Sequence, residues 1–182
     1  LGMPVGPLQL IDETSIDLAY QIATATKKAL GKRYIEDASD EILKFMVKKN
    51  RLGRKACAGF YNYNENGYRE NLWRGINKKW EIKRTQPDIK EIKERLALIQ
   101  ALEAVRALEE GVLTDIREGD VGAILGWGCI PWAGGPFGWL DLTGINAIVE
   151  ICLKFAVKFG PRFAPPQLLK NMAKENSKFY SK

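Results

Sequence analysis

Two stretches of this chain read almost alike. GPLQLIDETSID fills residues 6–17 and GPFGWLDLTGIN fills residues 135–146. At an offset of 129, Gly6-Pro7 falls on Gly135-Pro136, Asp12 on Asp141, Thr14 on Thr143 and Ile16 on Ile145. Leu8, Leu10 and Ile11 fall on the apolar Phe137, Trp139 and Leu140. Further on, ILKFMVKKN at 42–50 resembles LLKNMAKEN at 168–176, and each half then reaches an aromatic pair, Phe60-Tyr61 and Phe179-Tyr180. Three matches in one order predict an internal duplication. The expected result is two similar helical units packed face to face about a pseudo-two-fold, each covering apolar surface the other cannot bury alone. The boundaries expected are 1–67 for the first unit, 68–87 for a basic, aromatic linker and 88–182 for the second.

Apolar spacing predicts helix nearly throughout, so the fold class is all-α. Ile16, Ala19, Tyr20, Ala23 and Leu30 mark a helix over 14–30, with Thr14 or Ser15 as cap and Gly31 as stop. Ser39 caps a second over 39–50, with Ile42, Leu43, Met46 and Val47 inward. A long helix starts at Asp88, with Glu91 three residues on as a capping box and a stripe of Ile92, Leu96, Ile99, Leu102, Val105 and Leu108. Shorter helices follow at 115–125, at 144–159 (apolar on nearly all sides) and at 166–176 after Pro165-Pro166. GFYNY at 59–63 is the only extended piece, and the two Gly-Pro steps are read as turns. Asp12 and Asp141 are expected as helix caps and not as a carboxylate pair.

The chain has no histidine, which removes the commonest general base and metal ligand together. Cys57, Cys129 and Cys152 are odd in number and far apart, so neither a disulfide framework nor a zinc site is expected. A reducing compartment follows. The net charge of +6 attracts polyanions (nucleic acid, acidic lipid or a phosphate-rich cofactor such as coenzyme A) or serves solubility. No helix-turn-helix, zinc or RRM signature accompanies the charge, and no run of about 18 apolar residues exists. No nucleic-acid partner and no membrane span are expected.

GMPVGPLQLIDETSID, RLGRKACAGFYNY, ALEAVRALEEGVLTDIREGDVGAILGWGCIPWAGGP and RFAPPQLLKNMA together resemble the C-terminal part of 3-hydroxyacyl-CoA dehydrogenases. The likeness is nearest to the long multifunctional fatty-acid β-oxidation proteins, which carry two tandem copies of this helical domain. It implies a 6-phosphogluconate dehydrogenase C-terminal-like fold, an NAD-dependent oxidation of a 3-hydroxyacyl-CoA, and a cytoplasmic protein without a metal. It also implies a Rossmann domain upstream, a hydratase domain beyond it and a thiolase subunit as partner. In that family a histidine–glutamate base and an orienting serine and asparagine lie in segments absent here. No catalytic residue is therefore assigned. The chain is expected to begin after the first helix of the first copy.

The resemblance carries over a substrate wall: the family's G-x-P-x-G-P turn lines the acyl pocket, and Gly2, Pro4, Val5, Gly6, Pro7 and Leu10 match it. The alternative is a plain helix-to-helix turn. Arg51, Arg54 and Lys55 are read either as phosphate contacts or as loop and interdomain structure. Cys57 stands where the family has glycine, so a positive φ there implies strain. Trp132 and Trp139 are expected to fill core, not to line a second pocket. The competing reading of the whole chain is a non-catalytic all-α interaction or scaffold module.

Overall fold

Glycine followed by proline opens a helix at both copies of the repeated motif, because proline's fixed φ suits the first helical position and its missing N–H is not needed there. In the computed structural model, which describes residues 2–36 and 38–180, these helices are α1 (Pro7–Thr14) and α6 (Pro136–Thr143), each a helix where the sequence suggested a turn. The chain divides into two compact units, Val5–Arg84 and Leu1–Pro4 with Thr85–Lys182.

In the N-terminal unit, α1 runs into α2 (Ile16–Leu30), a 3₁₀ turn (Gly31–Arg33) and α3 (Ala38–Lys48). Helices α2 and α3 pack on Ile16, Leu43, Met46 and Phe60, with Ile11, Ala19, Tyr20 and Ala23 around them. Leu30, placed inward by spacing, is 38% exposed at the helix end. Since α3 begins at Ala38, Ser39 sits in its first turn and not at its cap. A 3₁₀ turn (Arg54–Ala56) leads to β1 (Tyr61–Tyr63), which pairs antiparallel with β2 (Arg69–Leu72), Tyr61 opposite Leu72 and Tyr63 opposite Arg69. A further 3₁₀ turn, Arg74–Lys78, follows.

The C-terminal unit is α4 (Ile89–Glu109), α5 (Ile116–Trp127), α6, α7 (Ile145–Phe159) and α8 (Gln167–Glu175). Asp88 caps α4 by accepting from the Lys90 amide at 3.2 Å, but Glu91 pairs with Lys158 and makes no capping box. The buried face of α4 is Ala97, Leu98, Ala101, Leu102 and Val105. Leu102 and Val105 of the expected stripe are buried and Ile99 and Leu108 pack against the core, whereas Ile92 and Leu96, in the N-terminal half of the helix, are over a third exposed. The helix is apolar on more than one side, so spacing alone did not fix which side turns inward. Helix α7 likewise buries one side, Ile145, Ile148, Cys152 and Phe155, while Leu153 and Val157 face outward. Trp139 packs against the core, but Trp132 is 63% exposed and fills none.

The units share local details. A residue with φ near 90° joins each short helix to the 15-residue helix after it, Ser15 in one and Gly144 in the other. A 3₁₀ turn follows each long helix, and Asn50 and Asn176 take φ 53° and 52° after the third. The expected caps Asp12 and Asp141 do something else. Each lies in the last turns of its short helix, where the dipole disfavours an anion, and turns to amides distant in sequence. Asp12, fully buried, accepts from the amides of Phe60 (2.8 Å) and Tyr61 (2.9 Å) and from the Tyr63 hydroxyl (3.0 Å). Asp141 accepts from the amides of Phe179 (2.9 Å) and Tyr180 (2.8 Å). A second buried carboxylate, Asp120, accepts from the amides of Phe137 and Gly138 and from the Tyr180 hydroxyl at 2.8 Å.

Gly59 is what lets the chain approach Asp12: a Cβ there would lie 2.2 Å from its Oδ1. Gly59→Ala should therefore cost about 3 kcal/mol, the upper end for overpacking, read by urea denaturation. Burial and the Asp12 hydrogen bond raise the Tyr63 hydroxyl pKa, and burial and Asp120 push Tyr180 up to about 12. A folded state that holds these protons more tightly than the unfolded chain keeps their contribution below about pH 10 and loses it as pH rises toward 12. Melting temperature followed against pH should fall over that window, and Tyr63→Phe with Tyr180→Phe should flatten the fall.

Candidate functional site

The matched turn begins with a glycine that geometry requires. Gly2 has φ +94°, and a Cβ on it would meet Pro131 Cδ at 2.7 Å. Gly128, at φ +70°, admits Pro4 in the same way, with Pro4 Cδ 3.1 Å from where its Cβ would stand. Gly2 and Pro4 thus sit against the Gly128–Pro131 turn of the C-terminal unit. Val5, Gly6, Pro7 and Leu10 belong to the N-terminal unit, where Gly6 caps α1 and its carbonyl accepts the Leu10 amide at 2.9 Å.

Gly6 differs from Gly2. Its φ is −73°, which any residue adopts, and a Cβ there would meet nothing within 4 Å. Neither conformation nor packing calls for glycine. Gly6 and Pro7 are exposed, and Leu10 is 48% exposed. The turn presents a small apolar surface with open space at Gly6.

The basic loop after α3 is internally committed. Arg51 donates to the carbonyls of Gly59 (2.7 Å) and Tyr61 (3.0 Å) and to Asn62 Oδ1 (2.8 Å), and its guanidinium lies 4.3 Å from the Trp73 ring centroid. Arg54 pairs with Glu13 and Lys55 with Asp17. Of the two readings left open for these cations, loop structure is the one their partners support. Sequence reasoning missed these acids because Glu13 and Asp17 lie about 40 residues away. Cys57 takes φ 49°, ψ 18°, the left-handed conformation that glycine adopts freely. Its thiol is free and exposed; Cys129 and Cys152 are free and buried.

Dinucleotide binding needs a strand feeding a glycine-rich turn into a helix within a parallel sheet. Among the described residues the sheet is the antiparallel β1–β2 pair alone, which is not the parallel sheet of a Rossmann dinucleotide site. Among the described residues no group of three or more His, Cys, Asp or Glu is placed to hold a metal ion. No described helix is long and apolar enough to cross a membrane.

Residues 1–63 match the family described as "3-hydroxyacyl-CoA dehydrogenase, C-terminal domain". Over 184 aligned residues the chain is 37% identical to the fatty acid oxidation complex subunit alpha of Shewanella baltica and 36% identical to that of Vibrio cholerae. Each alignment takes in 98% of this chain and 25% of the relative. The chain thus spans about a quarter of the length of the curated relatives it matches. The 3-hydroxybutyryl-CoA dehydrogenase of Escherichia coli K12 has a similar fold, with a TM-score of 0.64, 17% identity and coverage of 96% of this chain and 52% of that one. The resemblance carried by the sequence motifs is thereby shown, and the helical fold class with it.

Replacing Cys57 by glycine should relieve left-handed strain of about 1 kcal/mol. A rise of that size in unfolding free energy is expected for Cys57→Gly, with Cys57→Ala showing none.

Proposed function

We propose that this chain is the C-terminal helical portion of an NAD-dependent 3-hydroxyacyl-CoA dehydrogenase acting in fatty-acid oxidation. The carrying observation is the family match over residues 1–63 together with 37% identity along 98% of the chain to a fatty acid oxidation complex subunit alpha. In this reading Gly2, Pro4, Val5, Gly6, Pro7 and Leu10 form the wall that faces the acyl part of an acyl-CoA. The base, the NAD site and the Rossmann and hydratase domains lie in other parts of a longer protein, which is cytoplasmic and works with a thiolase subunit. The absence of histidine supports leaving proton abstraction to those other parts.

The exposed surface and open space at Gly6 support the wall. A glycine with an ordinary φ and open space around it, at the start of a helix whose Leu10 is exposed, suits a place where backbone must come close to a ligand. The repeated helix order and the matching Asp12 and Asp141 ties support a tandem duplication, with 1–67 and 88–182 as the two copies and 68–87 between them.

Gly6→Ala in the longer protein tests the wall directly. The substitution has room and an ordinary φ, so stability should change by under about 1 kcal/mol. KM for a 3-hydroxyacyl-CoA should rise about tenfold, as an added methyl does in a filled apolar pocket. A wild-type KM would remove Gly6 from the wall. Turnover of a 3-hydroxyacyl-CoA with NAD⁺ by the 182 residues alone would overturn the assignment of the chemistry to other parts of the protein.

A further inference from the structure

The chain's net charge is not shared between its units. Residues 5–84 hold 16 of the 28 lysines and arginines and 10 of the 22 aspartates and glutamates, so the whole excess of +6 sits in the N-terminal unit. Part of that charge lines one cleft of about 640 Å³, whose walls include Phe45, Lys49, Trp73, Arg74, Lys78 and Lys79 and no acidic residue. Lys79 is answered by Glu41 at 2.6 Å. Among the described residues no ion pair links Lys49, Arg74 or Lys78 to an acid.

The cleft is built, not merely charged. Trp73 is fixed by its amide on the Phe60 carbonyl (2.8 Å), by Arg51 over its ring and by the ring of Phe45 stacked 6.1 Å away. Gly75 lies so close to that indole that a Cβ would stand 2.0 Å from Trp73 Cζ2. The absence of a Cβ lets the Arg74–Lys78 turn lie against the ring, with Arg74 and Lys78 on one short 3₁₀ segment. Lys49 and Lys79 lie 5.9 and 5.2 Å from the Phe45 centroid, giving an aromatic floor under two ammonium groups. Asn62 donates to Asn71 Oδ1, and the Asn71 amide nitrogen, with two donors, stays at the cleft wall.

We propose that this cleft binds a phosphate-bearing ligand of nucleotide size, its phosphate held by Arg74, Lys78 and Lys49 and its planar part lying on the Phe45–Trp73 side. The volume falls in the range for small-ligand sites, about 300–1,000 Å³. A fork of guanidinium donors with two ammonium groups suits a dianionic phosphate, and aromatic rings beside cations suit a base. This assignment is separate from the acyl wall and stands or falls without it.

Calorimetric titration of the 182-residue chain with ADP, at low and at near-physiological salt, reads the proposal. A dissociation constant of about 0.1–1 mM at low salt is expected, weakening as salt rises, with adenosine binding at least tenfold more weakly. R74Q/K78Q should weaken ADP at least tenfold; K170Q/K174Q, on the C-terminal unit, should leave it unchanged. Lys49→Gln gives an independent loss should the double variant fail to show a native circular dichroism spectrum. Unchanged affinity in a folded R74Q/K78Q, or no binding of ADP to the wild type, overturns the proposal. A chain that binds vesicles containing phosphatidic acid but neither ADP nor pyrophosphate overturns it in favour of a lipid surface.

Discussion

A carboxylate with no access to water needs donors to replace those it gave up, and Asp12 finds three. They come from residues 48 to 51 positions away, so the start of the N-terminal unit and its β-hairpin are held by one charged group. Removing any of the three leaves buried charge short of a partner, a larger loss than an ordinary exposed contact. Gly59 makes the approach sterically possible, and Arg51, on the carbonyls of Gly59 and Tyr61, holds the other side of the same backbone. The C-terminal unit divides the task. Asp141 takes the amides of Phe179 and Tyr180, and Asp120 takes the Tyr180 hydroxyl.

From this tie follow the features that bear on function. It pins α1 at its C-terminal end, which leaves the Gly6–Leu10 end outward with its apolar surface uncovered. The hairpin it anchors carries Trp73 beyond β2, and Arg51, recruited to stabilise that hairpin, stacks on the same indole. The aromatic wall of the basic cleft is thus a by-product of how Asp12 is satisfied. The cations of the loop after α3, Arg54 and Lys55, are neutralised by Glu13 and Asp17. Those of the later turn, Arg74 and Lys78, carry the unit's charge outward.

Helix positions were legible because each depends on residues close in sequence. Ile16, Leu43 and Met46 are buried as spacing implies, and α4, α5, α7 and α8 begin within about two residues of the expected places. What was not legible depends on distant partners. Asp12 looked like a cap because local pattern offers only local donors, whereas its donors are Phe60, Tyr61 and Tyr63. The buried face of α4 is a similar case: Leu102 and Val105 are buried as spacing implies, but several sides are apolar, and packing buries Ala97, Leu98 and Ala101 while Ile92 and Leu96 stay over a third exposed. Trp132 failed in the opposite way, since a tryptophan among glycines reads as core and here lies on the surface. Of the candidate wall, the need for glycine at Gly2 follows from its φ of +94° and its close approach to Pro131, and only coordinates separate it from Gly6, which has an ordinary φ and open space around it.

Amide hydrogen exchange at Phe60 and Tyr61 tests the tie most directly. Amides bonded to a buried carboxylate that holds a unit together should open only with the unit, so their opening free energy should equal that of global unfolding. Exchange of Phe60 and Tyr61 at the rate of an exposed loop, in a unit that is otherwise folded, would contradict the account.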